Sequence, residues 1–236
     1  MTKTLVLEGV DAWYGAAQVL FGLSLRVAPG EVVALLGRNG AGKTTTLRAI
    51  MGLVPRRRGR IEYGGTDLTG LPTHRIARLG IGYVPEDRRI LATLTVRENL
   101  EVGRQPPRPG APAWSASRLF ALFPSLAPMA DRPAGRMSGG EQQMLAVART
   151  LMGNPSLLLL DEPSEGLAPL VVEELARTLS GLAAEGLSVL LAEQNVHFAR
   201  RLAGRAAIIE KGRVQVEGTM EALVADEGLR RRYLAV

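Results

Sequence analysis

Cysteine is absent from the 236 residues, which removes disulfides and zinc–thiolate sites and fits a reducing compartment. Lysine is scarce as well: Lys3, Lys43 and Lys211 are the only ones, and arginine supplies the rest of the basic charge. No apolar stretch approaches the ~18 uninterrupted residues of a membrane span. The start, Met1-Thr2-Lys3-Thr4 and then Leu5-Val6-Leu7, lacks the long apolar segment of a signal peptide. A membrane role would therefore need a partner to supply the span. The net charge of +6 points to an anionic ligand or surface, but basic residues are scattered and name none. The one tight cluster, Arg56-Arg57-Arg58 between Pro55 and Gly59, reads as a solvated turn. The length suits one large domain, or a domain with a sub-domain, and is enough to bury a sizeable core.

What is present centres on Gly37-Arg38-Asn39-Gly40-Ala41-Gly42-Lys43-Thr44. It follows the apolar run Val32 to Leu36 and precedes a helix-like stretch from Thr45 to Met51. This is a buried strand, a glycine loop and a helix, the context in which G-x-x-x-x-G-K-[ST] holds phosphates. The glycines permit a tight turn that aims successive N–H groups inward, where the helix N-terminus also favours a polyphosphate. Lys43 is expected on the β- and γ-phosphates, and the Thr44 hydroxyl on Mg²⁺. The implied ligand is a nucleoside triphosphate. A glycine-rich strand-to-helix turn can be mere topology, but the Lys-Thr pair and both flanks argue against that here.

Taken in order, Leu5 to Val10 and Val19 to Val27 read as antiparallel strands with apolar residues near alternate positions. Trp13-Tyr14-Gly15 lies between them, and Tyr14 is either a base-stacking aromatic or a core-edge one. Gly59 to Gly65 reads as a strand and turn, Pro72 to Leu79 as a helix opened by proline, and Ile81 to Val84 as a strand stopped by Pro85. Glu86-Asp87-Arg88-Arg89 is a charged loop at the end of a central strand, where ligand-contacting loops belong in open α/β sheets. Residues from Ile90 to about Gly153 are read as a helical sub-domain inserted into the α/β core of 1–89 and 154–236. Its middle, Gln105 to Pro112, is a proline-rich loop. It ends in Met137-Ser138-Gly139-Gly140-Glu141, with Ser138 as N-cap and Glu141 completing a capping box, a second helix terminus that suits an anion. The Leu157 to Leu160 run has the pattern of a strand buried on both faces. It delivers Asp161, to support Mg²⁺, and Glu162, to orient or deprotonate a water. Val189 to Ala192 is another buried strand, leading to Glu193-Gln194-Asn195. Ala206 to Ile209 and Val214 to Val216 close the sheet, and the tail to Val236 is helical and polar.

These segments carry a family resemblance. Leu35-Leu36-Gly37 through Thr45, Met137 to Gln143 and Leu157 to Glu162 stand in the order and approximate spacing of an ABC-transporter ATPase subunit. The match spans essentially the whole chain, and Ser-Gly-Gly-Glu-Gln separates this class from other P-loop ATPases. The resemblance implies a P-loop core with a mostly parallel sheet, an N-terminal antiparallel β sub-domain and the inserted helical one. It implies ATP and Mg²⁺ as cofactors, with residues 37–45 cradling the phosphates and Tyr14 stacking on adenine. Two ATP molecules would be sandwiched in a head-to-tail dimer with a sister subunit or a second copy. Ser138, Gly139, Gly140 and Glu141 would serve the partner's nucleotide, and Gly166-Leu167-Ala168 would cross the interface.

Two positions depart from the usual pattern: Glu86 stands where the family has Gln, and Gln194 where it has a switch His. His197 is expected on a helix surface. Pro85-Glu86-x-Arg88-Arg89-Ile90, Glu162 to Pro169 and Glu193-Gln194-Asn195 resemble the second ATPase subunit of high-affinity branched-chain amino-acid importers, with urea-importer ATPases close by. That implies two membrane permeases, an external solute-binding protein and a place on the cytoplasmic face of a bacterial inner membrane. The helical sub-domain and the loop at Glu86 would face the permease, and Glu86 would join Gln194 at the water or the Mg²⁺. Chromosome and DNA-repair relatives interrupt the core with long coiled coils or zinc–cysteine insertions, and translation factors carry tandem cassettes. The chain has neither feature, so no nucleic-acid partner is expected.

Overall fold

The structure, a computed structural model, describes residues 3–108 and 113–234. In chain order its elements are β1 (Leu5–Tyr14), β2 (Ala17–Val27), β3 (Val32–Leu36), α1 (Lys43–Ile50), β4 (Arg56–Tyr63), β5 (Thr66–Asp67), α2 (Thr73–Arg78) and β6 (Ile81–Val84). There follow α3 (Val96–Gly103), α4 (Ala116–Leu122), α5 (Gly139–Leu151), β7 (Leu157–Asp161), α6 (Pro169–Ala184) and β8 (Ser188–Glu193). The last are α7 (Val196–Arg200), β9 (Arg205–Glu210), β10 (Arg213–Thr219), α8 (Met220–Ala225) and α9 (Glu227–Leu229), and then a π-helical turn, Arg230–Leu234.

Two sheets result. Strands β2-β1-β4-β5 form an antiparallel sheet, and β10-β9-β3-β8-β7-β6 form a second one. In the second, β9, β3, β8, β7 and β6 are parallel and only β10 runs against its neighbour. Period-two alternation then divides the core. Ala34, Leu36, Leu158, Leu160, Val189 and Leu191 point to one face, where Leu100, Leu119 and Leu145 of the helices and Phe123 just after α4 cover them. Val33, Leu35, Leu157, Leu159, Leu190 and Ala192 point to the other, against Leu7, Leu20, Leu25 and Ile61 of the antiparallel sheet and Leu47 of α1. Both faces of the parallel sheet are thus dry, as the unbroken Leu157–Leu160 run requires.

Between β6 and β7 the elements are α3, α4, α5 and the 3-10 turns Pro124–Met129 and Ala134–Arg136. The helix at Ser138 starts where its sequence indicates: the Ser138 hydroxyl accepts from the Glu141 N–H at 3.3 Å, and the Ser138 N–H donates to Glu141 Oε2 at 2.7 Å. Of the proline-rich stretch, 105–108 is neither helix nor strand, and 109–112 lies outside the described residues.

Three local readings are corrected. Arg56-Arg57-Arg58 is the first part of β4, not a turn. Arg57 bonds the carbonyls of Ala49, Leu68 and Thr69, and Arg56 and Arg58 stack over Trp13 with their guanidinium carbons 4.7 and 5.8 Å from the ring centroid. Local charge density hid this because the acceptors lie on other elements. Trp13 and Tyr14 are strand residues, paired with Gln18 and Ala17, so the turn is tighter than its aromatic content indicated. The 16-residue helix α6 went unread, although Pro169 at its first turn and Leu175, Leu179 and Leu182 on one face mark it.

Candidate active site

The phosphate loop forms where β3 stops in the middle of the parallel sheet, with β8 and β9 on either side. Gly37 leaves the strand with its N–H on the Glu193 carbonyl at 3.3 Å, and a Cβ there would lie 2.5 Å from the Ile209 carbonyl oxygen. Gly42 precedes α1 at φ +113, a left-handed conformation that other residues rarely adopt. The first-turn N–H groups of α1 have no carbonyl a turn earlier to bond, so they remain available to a ligand. No acidic residue occupies that turn.

Lys43 is 3 % exposed. Its ammonium bonds the Gly37 carbonyl at 2.7 Å and the Arg38 carbonyl at 3.1 Å, and it forms an ion pair with Glu162 Oε1 at 3.1 Å. The Thr44 hydroxyl donates to Asp161 Oδ1 at 2.9 Å, and the Tyr83 hydroxyl donates to Asp161 Oδ2 at 2.9 Å. Burial pushes the Asp161 carboxyl above its ordinary pKa, the Thr44 and Tyr83 bonds pull it back, and the charge of Glu86 adds to the rise. Burial also raises the Tyr83 phenol, as does the adjacent Asp161. Glu162 sits at φ +45, an uncommon conformation for a non-glycine residue, and its buried Oε2 has no hydrogen-bond partner.

Of the expected residues, Asn39, Gly40, Gly42, Lys43, Thr44, Thr45, Glu86 and Glu162 line one cavity of about 280 Å³, together with Val19. Arg38 and Ala41 border a neighbouring hollow with Asn39 and Gly40. Tyr14 is 37 % exposed and outside the cavity lining. It sits beside Arg48, whose guanidinium pKa is raised by a bond to Tyr14 and by Tyr83. Ser138 and Gly139 are exposed at the start of α5 and also lie outside this lining. Gln194 is exposed beyond the end of β8, and His197 is exposed on α7.

The site fits a magnesium nucleotide on three counts. Glycines at 37 and 42, where a Cβ would meet Ile209 and Leu20, let the loop close tightly while Gly40 faces open space, a buried cation stands at the head of α1, and Thr44, Asp161 and the orphaned Glu162 oxygen supply hard oxygen donors. Sequence reasoning missed Tyr83, which holds Asp161, and Arg88, whose Nε–H donates to Gln143 Oε1 on α5 at 3.1 Å. It also missed Glu193, taken up below.

Comparison with known proteins decides the family. Residues 20–165 match the model of the ABC transporter family. The chain belongs to the ABC transporter ATPases. This ABC subunit is 43 % identical over 230 residues to the high-affinity branched-chain amino acid transport ATP-binding protein BraG of Pseudomonas aeruginosa, covering 98 % of this chain and 99 % of that one. It is 37 % identical to the lipopolysaccharide export system ATP-binding protein LptB of Haemophilus influenzae, covering 98 % and 96 %. Among solved structures, an ATP-binding subunit of an ABC transporter superposes with a TM-score of 0.80 at 29 % identity, covering 98 % and 96 %. The ABC subunit is thus an ATP-hydrolysing cassette coupled to transport. Among the described residues no helix is long and apolar enough to cross a membrane.

Proposed function

We propose that this ABC subunit powers an importer of branched-chain or other hydrophobic amino acids. The reading is carried by the 43 % identity to BraG over nearly the whole of both chains. The Pro85-Glu86-x-Arg88-Arg89 and Glu193-Gln194-Asn195 segments support it. The similarity to LptB at 37 % favours a rival reading, lipopolysaccharide export, and a related urea or amide importer is a further alternative.

In this reading residues 37–45 bind the phosphates, Lys43 leaves Glu162 for them, and Glu162 takes the proton of the attacking water. Thr44 and Asp161 would hold Mg²⁺, which when bound neutralises phosphate charge. Tyr14 would carry the base. Gln194 would donate a hydrogen bond near the transferred phosphoryl group, with Glu86 positioning water or metal beside it.

Ser138 to Glu141 would complete the site of a sister subunit, or of a second copy, in a head-to-tail dimer. The exposure of Ser138 outside its own chain's cavity supports that. Residues 90–153 would act as a sub-domain that meets two permeases on the cytoplasmic face of the inner membrane. An open groove of about 640 Å³, lined by Leu53, Tyr83, Pro85, Leu91, Val102 and Arg149 among others, joins this segment to the loop after β6 and suits that contact.

Co-purification with two membrane permeases and a solute-binding protein tests the reading. ATPase activity of the complex should rise with leucine-loaded binding protein and stay low with the empty one. Stimulation by lipopolysaccharide and not by leucine would establish the rival.

A further inference from the structure

Glu193 ends β8, is 1 % exposed and has no part in the chemistry assigned above. Its carboxylate accepts three backbone N–H groups from two different turns. Oε1 takes Ser164 N–H at 3.1 Å, and Oε2 takes Gln194 N–H at 3.2 Å and Asn195 N–H at 3.0 Å. Its own backbone carbonyl receives Gly37 N–H at the mouth of the phosphate loop. One residue earlier, the Ala192 carbonyl accepts Glu162 N–H at 2.9 Å. The Asn195 side chain adds a longer link to the Ser164 hydroxyl at 3.5 Å.

Among the described residues, no Lys, Arg or His forms an ion pair with this carboxylate. Burial raises its pKa, the bonds to Ser164 and Asn195 lower it, and the charge of Glu162 raises it again. A buried carboxylate without a counter-charge is expensive to retain, and a neutral side chain would pack a strand end more cheaply. Its geometry explains its presence. The two oxygens of one rigid, planar group fix the turn that carries Glu162 relative to the turn that carries Gln194. The same residue's backbone fixes both to Gly37.

We propose that Glu193 is the positioning residue that sets the separation between the general base and the switch residue during ATP hydrolysis. This rests on the roles given above to Glu162 and Gln194. An isosteric amide cannot replace it, because one of its two ends is a donor and would face an N–H. Misplacement by about 1 Å can cost ~10²-fold in rate.

The test compares Glu193→Gln with Glu193→Asp in the transporter complex, and measures nucleotide affinity in the isolated full-length chain with a fluorescent ATP analogue. Glu193→Gln should lose roughly 10- to 100-fold in turnover while its affinity moves by no more than about threefold. Glu193→Asp, shorter but with two acceptor oxygens, should retain more turnover than Gln. The loss caused by Glu193→Gln should also shrink in a Gln194→Ala background, because coupled residues are non-additive. Wild-type turnover in Glu193→Gln would overturn the proposal, as would Gln outperforming Asp, since shape alone would then matter. Parallel loss of affinity and turnover would reduce Glu193 to a structural role and also overturn it. If Gln194→Ala alone is silent while Glu193→Gln is impaired, the role of Gln194 fails and the hold on the Glu162 turn stands.

Discussion

Lys43 is satisfied by two loop carbonyls and Glu162, so phosphates must compete with a buried ion pair for it. Lys43→Ala removes the phosphate's point charge and leaves Glu162 buried without a partner. Truncating one partner of a buried charge pair formed on binding costs about 2–5 kcal/mol, so loss of the Lys43–phosphate pair should lower nucleotide affinity at least ~30-fold. The fold should survive with a lower melting temperature. Near-normal binding of a fluorescent ATP analogue would contradict the assignment of the loop. Lys43, Thr44, Asp161 and Glu162 were legible because fixed spacing in a strand–loop–helix context identifies them. Glu193, Tyr83 and Gln143 were not. Tyr83 and Gln143 act through partners more than fifty residues away, and Glu193 acts through burial and a bond to the separate turn at Ser164, none of which leaves a mark in the local sequence.

Glu193 also makes a prediction about pH. Its folded-state pKa is raised, chiefly by burial, so the folded chain binds more protons than the unfolded one between the ordinary carboxylate range and that higher value. Stability attributable to this group is therefore present at the acid end of the window and is lost as pH rises through the folded pKa. Glu193→Gln cannot titrate. The melting temperature of the variant relative to wild type should rise as pH is raised across that window, while its turnover is impaired. A pH-independent difference would contradict the burial argument.

At the scale of elements, α5 was legible at its start because both halves of its capping box lie within four residues, Ser138 and Glu141. The Arg56–Arg58 cluster was not, because its partners come from Trp13 of β1, from α1 and from the segment after β5. Arg57→Ala leaves the Ala49, Leu68 and Thr69 carbonyls without their donor. That should cost about 2 kcal/mol by chemical denaturation. Arg58→Ala loses an exposed stacking contact worth under about 1 kcal/mol, so the two variants should separate clearly. Equal losses would mean the cluster acts as bulk charge. The loop before α3 carries two consecutive non-glycine residues at positive φ, Arg88 (57°) and Arg89 (48°). Arg88 reaches α5 through Gln143, which ties the loop containing Glu86 to the helix that Ser138 caps.

At the scale of the molecule, the class of fold was readable and the strand order was not. Buried runs announce parallel strands, but β3 lies between β8 and β9, which follow it by more than 150 residues, and no local pattern encodes that. The whole-molecule reading makes Ser138 act on a neighbour's nucleotide. Ser138→Arg should abolish turnover in the complex and leave ATP affinity of the isolated chain unchanged, and equal loss in both would place Ser138 in its own chain's site. Gln194 cannot carry the charge of the usual His, and a preorganised donor of that kind is worth roughly 10² in rate. This subunit's site should therefore be the slower of a pair whose sister keeps its His, measured by blocking each site in turn. A rate at or above its sister's would mean that Glu86 and Glu193 compensate for Gln194.

In the proposed function, ATP hydrolysis at Glu162 drives inward movement of a hydrophobic amino acid. The direct measurement is uptake of labelled leucine into proteoliposomes that contain the permeases, both ATPase subunits and the binding protein, with ATP supplied on the side of the ATPase. Wild type should accumulate leucine only with ATP, and Glu162→Gln, which loses a general base worth ~10²–10⁴ in rate, should bind ATP yet accumulate little. Leucine uptake that is independent of ATP, or undiminished in Glu162→Gln, would contradict hydrolysis-driven import.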